Sequence, residues 1–284
     1  MSVDVAHFQN RPWLAGSAAV LRPTRHVPTM LTGQEQRLYY WLTHEQVAGP
    51  GAIVDLGCFI GGSTARLAQG LADGGRGGVI HAYDRFTVDA ETRRRFLADP
   101  ALPPIPGTDI LPAARELLAP WADVIRLIPG EIHHIGWDAA HGPIALLILD
   151  ACKRTEWTDQ MAQDFYPDLI AGQSIVNHQD FGQWHHFWVA AHMALMADFF
   201  EPLVYVPGGS MLFRCIRVPD RAQLRERRVA DLDDAQMIAA LRQARRWLRG
   251  FGVGQIIETM IRTVEQNPGQ RFFWELKNPH DIAT

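Results

Sequence analysis

The chain has 284 residues, 47% of them hydrophobic and 20% charged, with a formal net charge of −4. That composition suits a globular protein with an ample core, and the charge argues against nucleic acid or an anionic membrane as partner. The longest apolar runs fall short of the roughly 18 residues that cross a bilayer. The start, MSVDVAHFQNRPW, lacks a basic residue ahead of an apolar segment, so no secretory signal is expected. Three scattered cysteines (Cys58, Cys152, Cys215) without metal-ligand spacing suit a reducing, cytoplasmic setting.

In chain order, residues 1–31 read as irregular, punctuated by Pro12, Pro23 and Pro28. Thr32 and Glu35 form a capping box that predicts a helix through QRLYYWLTHEQV, broken at Pro50-Gly51. A regular alternation follows. Strands are predicted at 52–58, 79–86, 123–132, 143–151 and 174–181, with helices at 63–72, around 111–118, at 157–170 and at 184–199. The Pro-rich stretch 98–108 is a connection. Residues 199–218 predict two strands joined at Pro207-Gly208-Gly209. Strands apolar on both faces, alternating with helices, predict an α/β fold: a Rossmann-like, doubly wound, mostly parallel seven-stranded sheet with an antiparallel edge strand.

After residue 218 the chain turns helical and charged. Met237, Leu241, Ala244, Leu248 and Phe251 make one helical face, and Arg242, Arg245, Arg246 and Arg249 fill the remaining circumference. A solvated face on a packed helix is the plain expectation; a cover for the active site or a homo-oligomer interface is the sharper one. The division expected is an N-terminal cap (1–49), a cofactor-binding domain (50–218) and a C-terminal helical extension (219–284).

The segment VDLGCFIGGST (54–64) sits where the first strand turns into the first helix of the alternation, at the sheet edge where open α/β folds bind ligands. Gly57 permits a tight turn, and Gly61 and Gly62 permit close approach. The order D-x-G-x-x-x-G-G is neither the dinucleotide G-x-G-x-x-G nor a Walker A loop, which speaks against a dehydrogenase. It resembles motif I of class I S-adenosylmethionine-dependent methyltransferases. The second strand ends in HAYDRF, which places Asp84 where that family's ribose-binding acid lies, and Gly130-Glu131 falls where members contact adenine. The resemblance implies S-adenosylmethionine held by Asp55, Gly57, Cys58, Gly61, Ser63, Asp84, Arg85, Gly130, Glu131 and Asp150.

The fourth and fifth strands end in polar clusters, Asp150-Ala151-Cys152-Lys153 and Asn177-His178-Gln179-Asp180. These look like the strand ends of the metal-dependent O-methyltransferases of macrocin and catechol type. That resemblance implies a Mg²⁺ site at Asp150, Gln179 and Asp180, with the metal lowering the pKa of an acceptor hydroxyl. His-Gln-Asp departs from the family's acidic pair. The alternative is a metal-independent enzyme acting on nitrogen or carboxylate, in which His178 or Asp180 takes the proton and Lys153 polarises the nucleophile. A third reading is a cofactor-binding protein without catalysis. The leading expectation is an O-methyltransferase for a small-molecule hydroxyl, on a sugar-containing compound or polyol of natural-product biosynthesis. His133-His134 and His141 would line the acceptor pocket. His185-His186, among Trp184, Phe187 and Trp188, would form an aromatic wall, and neither histidine pair is a self-sufficient metal site.

Overall fold

The computed structural model describes residues 4–47 and 51–278. Pro50, the expected helix breaker, lies outside them. The elements run α1 (Val5–Gln9), α2 (Gly33–Trp41), β1 (Ala52–Leu56), α3 (Gly62–Asp73), β2 (Ile80–Asp84), α4 (Ala90–Phe96), α5 (Leu111–Leu117), β3 (Ile125–Pro129), α6 (Ile132–Ile135) and β4 (Ile144–Leu149). They continue with α7 (Thr155–Phe165), β5 (Ile175–His178), α8 (Phe187–Leu195), β6 (Phe200–Tyr205), β7 (Met211–Cys215), α9 (Arg221–Glu226), α10 (Asp234–Trp247) and α11 (Gly254–Gln266).

The strands form one seven-stranded sheet in the order β3-β2-β1-β4-β5-β7-β6. The chain steps outward from β1 to β2 and β3, then returns to place β4 on the other side of β1. This reversal is the topological switch point of a doubly wound fold. β1 pairs in parallel with both β2 and β4, and β2 with β3. The hairpin expected at 199–218 forms, but its second strand lies inside its first. β7 runs antiparallel to both β5 and β6, which leaves β6 outermost.

Two compact units meet in sequence between Asp150 and Ala151. In the first, β1 and β4 are buried nearly throughout, with Ile53, Val54, Leu56 and Ile144 through Leu149 as core, Ala145 excepted. α2 begins at the expected capping box, where Thr32 accepts from the Glu35 amide and the Glu35 carboxylate accepts from the Thr32 amide at 2.9 Å. α4 was not expected. Its three arginines and lack of buried residues give it no apolar stripe to read, and Asp89, which caps it through the Glu91 and Thr92 amides, is its one local signal.

In the second unit, α8 is buried from Phe187 to Ala194 and reads as uniformly apolar because neighbours surround it. Met237, Leu241, Ala244 and Leu248 are buried as expected, and α10 packs on α8 and α11. Each such Met or Leu contributes about 1.5–3 kcal/mol by burial. The stripe ends sooner than expected: the helix stops at Trp247, and Phe251 lies beyond it, half-buried. The arginine face is exposed at Arg242, Arg245, Arg246 and Arg249, with Arg245 reaching Glu258 of α11 at 3.1 Å. Among the described residues no helix is long and apolar enough to cross a membrane.

Candidate functional site

The glycine-rich turn after β1 is built from the inside. Asp55, the fourth residue of β1, is 1% exposed, and its Oδ2 accepts from the Ser63 and Thr64 hydroxyls at 2.7 Å each. These bonds tie the first turn of α3 back to the strand. Gly57 has φ +92°, and a Cβ there would stand 2.7 Å from the carbonyl oxygen of Asp150. Both conformation and space therefore require glycine, and what crowds it is the end of β4. A Cβ on Gly62 would collide with the Pro28 carbonyl and Thr29, so the N-terminal segment passes close over the start of α3.

The amides of this turn are spent within the protein. Gly57 and Cys58 both donate to the Tyr83 carbonyl, at 2.8 and 3.1 Å, and Gly61 donates to the Cys58 carbonyl at 2.8 Å. Phe59 donates to Asp84 Oδ2 at 2.9 Å. A pyrophosphate site works by aiming such amides outward at the ligand. Here four of them point elsewhere, which is the physical counterpart of the missing G-x-G-x-x-G.

Asp84, at the end of β2, also accepts from the Phe86 amide, through Oδ1 at 2.7 Å. Phe59 and Phe86, whose amides it takes, both have φ +53°, a left-handed conformation that costs a bulky residue energy. One carboxylate thus fixes two strained positions flanking the same sheet edge. The Gly130 amide donates to the Asp84 carbonyl at 2.9 Å, which holds the turn after β3 beside it. Arg85 is 61% exposed and stands 4.0 Å from Glu131.

The charge at this edge is negative. Asp55, Asp84, Glu131 and Asp150 stand at or beyond the ends of β1, β2, β3 and β4, with Arg85 beside Glu131. Burial pushes the Asp55 carboxyl up to about 6, against its two hydroxyl donors and with a push from Asp84. Burial also raises Asp84, opposed by its two amides and Arg85 and aided by Glu131. Asp55 Oδ1 is buried and has no hydrogen-bond partner. An acceptor with nothing donating to it, inside a crowd of carboxylates, fits a cationic ligand that brings N–H donors. It does not fit a phosphate. Cys58 is buried, and burial likewise raises its thiol, away from a thiolate nucleophile.

The second unit carries the remaining residues singled out from sequence. Lys153 and Asp180 form an ion pair across 27 positions of sequence, with side chains 34% and 15% exposed. Burial raises the Asp180 carboxyl, but the Lys153 ammonium and His186 against it hold it well below the usual carboxylate range. Gln179 Oε1 accepts from the Ser210 hydroxyl at 2.8 Å. The Cys152 carbonyl accepts from the Trp188 indole at 2.8 Å, which fastens the loop carrying Lys153 to α8.

His178, a candidate base by sequence, lies at the end of β5. Its imidazole is 1% exposed, with Nε2 3.1 Å from the Tyr166 hydroxyl and the Phe213 ring 6.2 Å away. Burial drives it down to about 3. Side chains alternate along β5, and position 178 falls on a core side, so this histidine is packed as a buried group against Tyr166. Sequence reasoning missed His186 as the partner of Asp180. Its Nδ1 lies 3.3 Å from Asp180 Oδ2, and no spacing rule links the two residues.

Three histidine pairs do meet, His81 with His141, His133 with His134, and His185 with His186, at ring-centroid separations of 4.2–4.5 Å. Among the described residues no group of three His, Cys, Asp or Glu is gathered as a metal would need. The expected Mg²⁺ set does not fit either. A lysine ammonium sits on Asp180, and the Gln179 carbonyl oxygen accepts from a serine.

No sequence profile of a known family and no curated protein matches the chain. The strand order, the parallel β1–β4 half and the antiparallel β7 define the class I methyltransferase fold. Among solved structures the O-methyltransferase NovP has this fold, with a TM-score of 0.51 and 18% identity over 71% of this chain and 89% of that one. The calicheamicin methyltransferase CalS11 has a TM-score of 0.46 and 19% identity, covering 63% of this chain and 77% of its own. The Podospora anserina methyltransferase PaMTH1, solved with SAH bound, has a TM-score of 0.42 and 16% identity over 66% and 80%. At 18% identity the likeness to NovP is one of fold.

Proposed function

We propose that the protein is an S-adenosylmethionine-dependent O-methyltransferase acting on a hydroxyl of a small molecule, without a metal held by Gln179 and Asp180. One observation carries it: the glycine turn spends its amides inward and presents carboxylates, Asp55 with a bare buried oxygen, where a dinucleotide site would present N–H groups. S-adenosylmethionine is a cation with an ammonium and a ribose diol, and when bound it supplies an electrophilic sulfonium methyl.

Asp55 Oδ1 would accept from the ammonium, and Asp84, with lone pairs beyond its two amide bonds, from the ribose hydroxyls. Ser63 holds Asp55 in place. Cys58 and Gly61 shape the turn, and Asp150 closes on Gly57. Glu131 and Arg85 flank the adenine end. Lys153 and Asp180 belong to the acceptor side, where the ammonium orients the carboxylate. We place the cofactor domain at 50–218, with 1–49 and 219–284 as flanking segments, and the protein in the cytoplasm. The acceptor class, a sugar-containing compound or polyol, follows from the resemblance in motif I and the strand ends.

The test is calorimetry with S-adenosylmethionine in Mg²⁺ and again in EDTA, beside Asp84→Ala and Asp84→Asn variants checked for folding. Micromolar binding lost in the variants supports the cofactor site, and methyl transfer to a hydroxyl that proceeds equally in Mg²⁺ and in EDTA supports the metal-free reading. No binding by the wild type overturns it. Methyl transfer that requires Mg²⁺ would restore the metal-dependent alternative. Cofactor binding without methyl transfer to any member of a panel of phenols, polyols and glycosides would favour a non-catalytic cofactor-binding protein.

A further inference from the structure

A cavity of about 560 Å³ lies in the segment between β2 and α5, walled by α4 on one side and by Gly107 and Thr108 on the other. That volume is within the range of small-molecule sites. Val88 and Leu97, themselves buried, give it an apolar floor with Ala98, and Arg93 and Arg94 stand at its side. None of the residues assigned to the cofactor lines it.

α4 explains why the space is there. It is a helix of 7 residues with none buried. So short a helix is marginal in water by itself, and an apolar face packed on the protein is what ordinarily holds one. α4 is held by its ends instead. Asp89 caps its start, and Arg93 Nη1 reaches across the cavity to the Gly107 carbonyl at 3.0 Å. The opposite wall is fixed as well, because the Val88 amide donates to the Thr108 carbonyl at 2.9 Å and Thr87 bridges Asp109 in antiparallel fashion. The helix is thus framed over an open space, and the apolar contact it lacks is left to an occupant.

The charges select that occupant. Asp89 also lines the cavity, but its oxygens are spent: Oδ1 accepts from the Glu91 and Thr92 amides at 2.9 and 2.8 Å, and Oδ2 from the Thr92 hydroxyl at 2.7 Å. Arg95 is turned onto the Phe96 ring at 4.9 Å. Arg94 makes no hydrogen bond or ion pair among the described residues, although Glu91 stands one helical turn before it. Arg93 keeps further N–H donors beyond the one on Gly107. Two guanidiniums against one carboxylate leave a single net positive charge in the lining. One carboxylate balances it, whereas a phosphate monoester would bring about two negative charges.

We propose that this cavity is a binding site for a small monocarboxylate with an apolar body, the carboxylate on Arg93 and Arg94 and the body against Val88, Leu97 and Ala98. The site is distinct from the proposed methyl transfer and does not depend on it. Filling it gives α4 the packed face it lacks, so binding and the order of this helix are coupled.

The test uses the full chain at neutral pH, with octanoate, octylamine and octyl phosphate as probes that share a body and differ in head charge. Hydrogen exchange read by peptide mass should show millimolar octanoate slowing the amides of α4 while those of α10 are unchanged. In calorimetry octanoate should bind more tightly than the other two, and Arg94→Gln should weaken it about tenfold. Ala98→Trp, which fills the cavity from an exposed position, should abolish binding. Arg94 is exposed too, so Arg94→Gln disturbs no packing and decides the matter even where the tryptophan variant fails to fold. No slowing in α4, octylamine binding as well as octanoate, or octanoate affinity indifferent to Arg94→Gln overturns the proposal. Tighter binding of octyl phosphate overturns the assignment of a monocarboxylate.

Discussion

Asp55 offers the sharpest test of the cofactor turn, because it is a buried acid with half its hydrogen-bonding capacity unused. Burial raises it from 3.8 to about 6 in the folded protein, and the Ser63 and Thr64 hydroxyls only partly offset this. A folded pKa above the unfolded one means that the unfolded chain gives up the proton first. Between about pH 4 and 6 the folded state binds more protons, so stability falls as pH rises through that window and levels off above it. At about 1.4 kcal/mol for each pH unit the loss from this one group is about 3 kcal/mol. Asp159, also raised to about 6, titrates in the same window, so the wild-type curve alone does not isolate Asp55. Asp55→Asn does. The amide still accepts from both hydroxyls, and any constant cost of its buried NH₂ group drops out of the slope. Urea unfolding across the window should show the wild type losing about 3 kcal/mol more than Asp55→Asn. Parallel curves would show that Asp55 is not desolvated, and the account of the turn as a carboxylate awaiting a cation would fall with it.

Further consequences concern the cofactor, the turn and the packing. If the ammonium of S-adenosylmethionine meets Asp55, calorimetry should show weaker binding below pH 6 than above pH 7. Affinity that does not change between them would place the ammonium elsewhere. Gly57→Ala, at φ +92° and against the Asp150 carbonyl, should destabilise by about 2 kcal/mol or more in urea unfolding, while Gly16→Ala, with open space around it, should change little. Gly70→Ala sits mid-helix in α3, where alanine ordinarily helps by about 1 kcal/mol. There its methyl would strike Thr43 and the Tyr40 carbonyl, so the substitution should lower the melting temperature instead. Asp159→Ala removes the acceptor of the Val229 and Ala230 amides, at 2.8 and 2.9 Å, and should loosen the turn before α10. Faster hydrogen exchange at those two amides is the readout.

The sequence by itself determined the alternation of buried strands and helices, the hairpin near residue 207, the capping box at Thr32 and the stripe along α10. Each is written in near neighbours, through hydrophobic period, cap spacing and turn chemistry, and near neighbours suffice to set local backbone. It also placed Asp55 and Asp84 at strand ends, where an acid closes an apolar run. It left α4 unread, since a helix without a buried face has no period to show. Tertiary structure alone decided which polar side chains meet. His178 and Asp180 lie two residues apart in sequence, yet the pleat of β5 sends one into the core against Tyr166, and the turn after β5 brings the other to Lys153 and His186. Gly57 is required as much by the end of β4, ninety-odd residues on, as by its own turn. Contacts of that span depend on how the sheet is ordered, and no spacing along the chain records them.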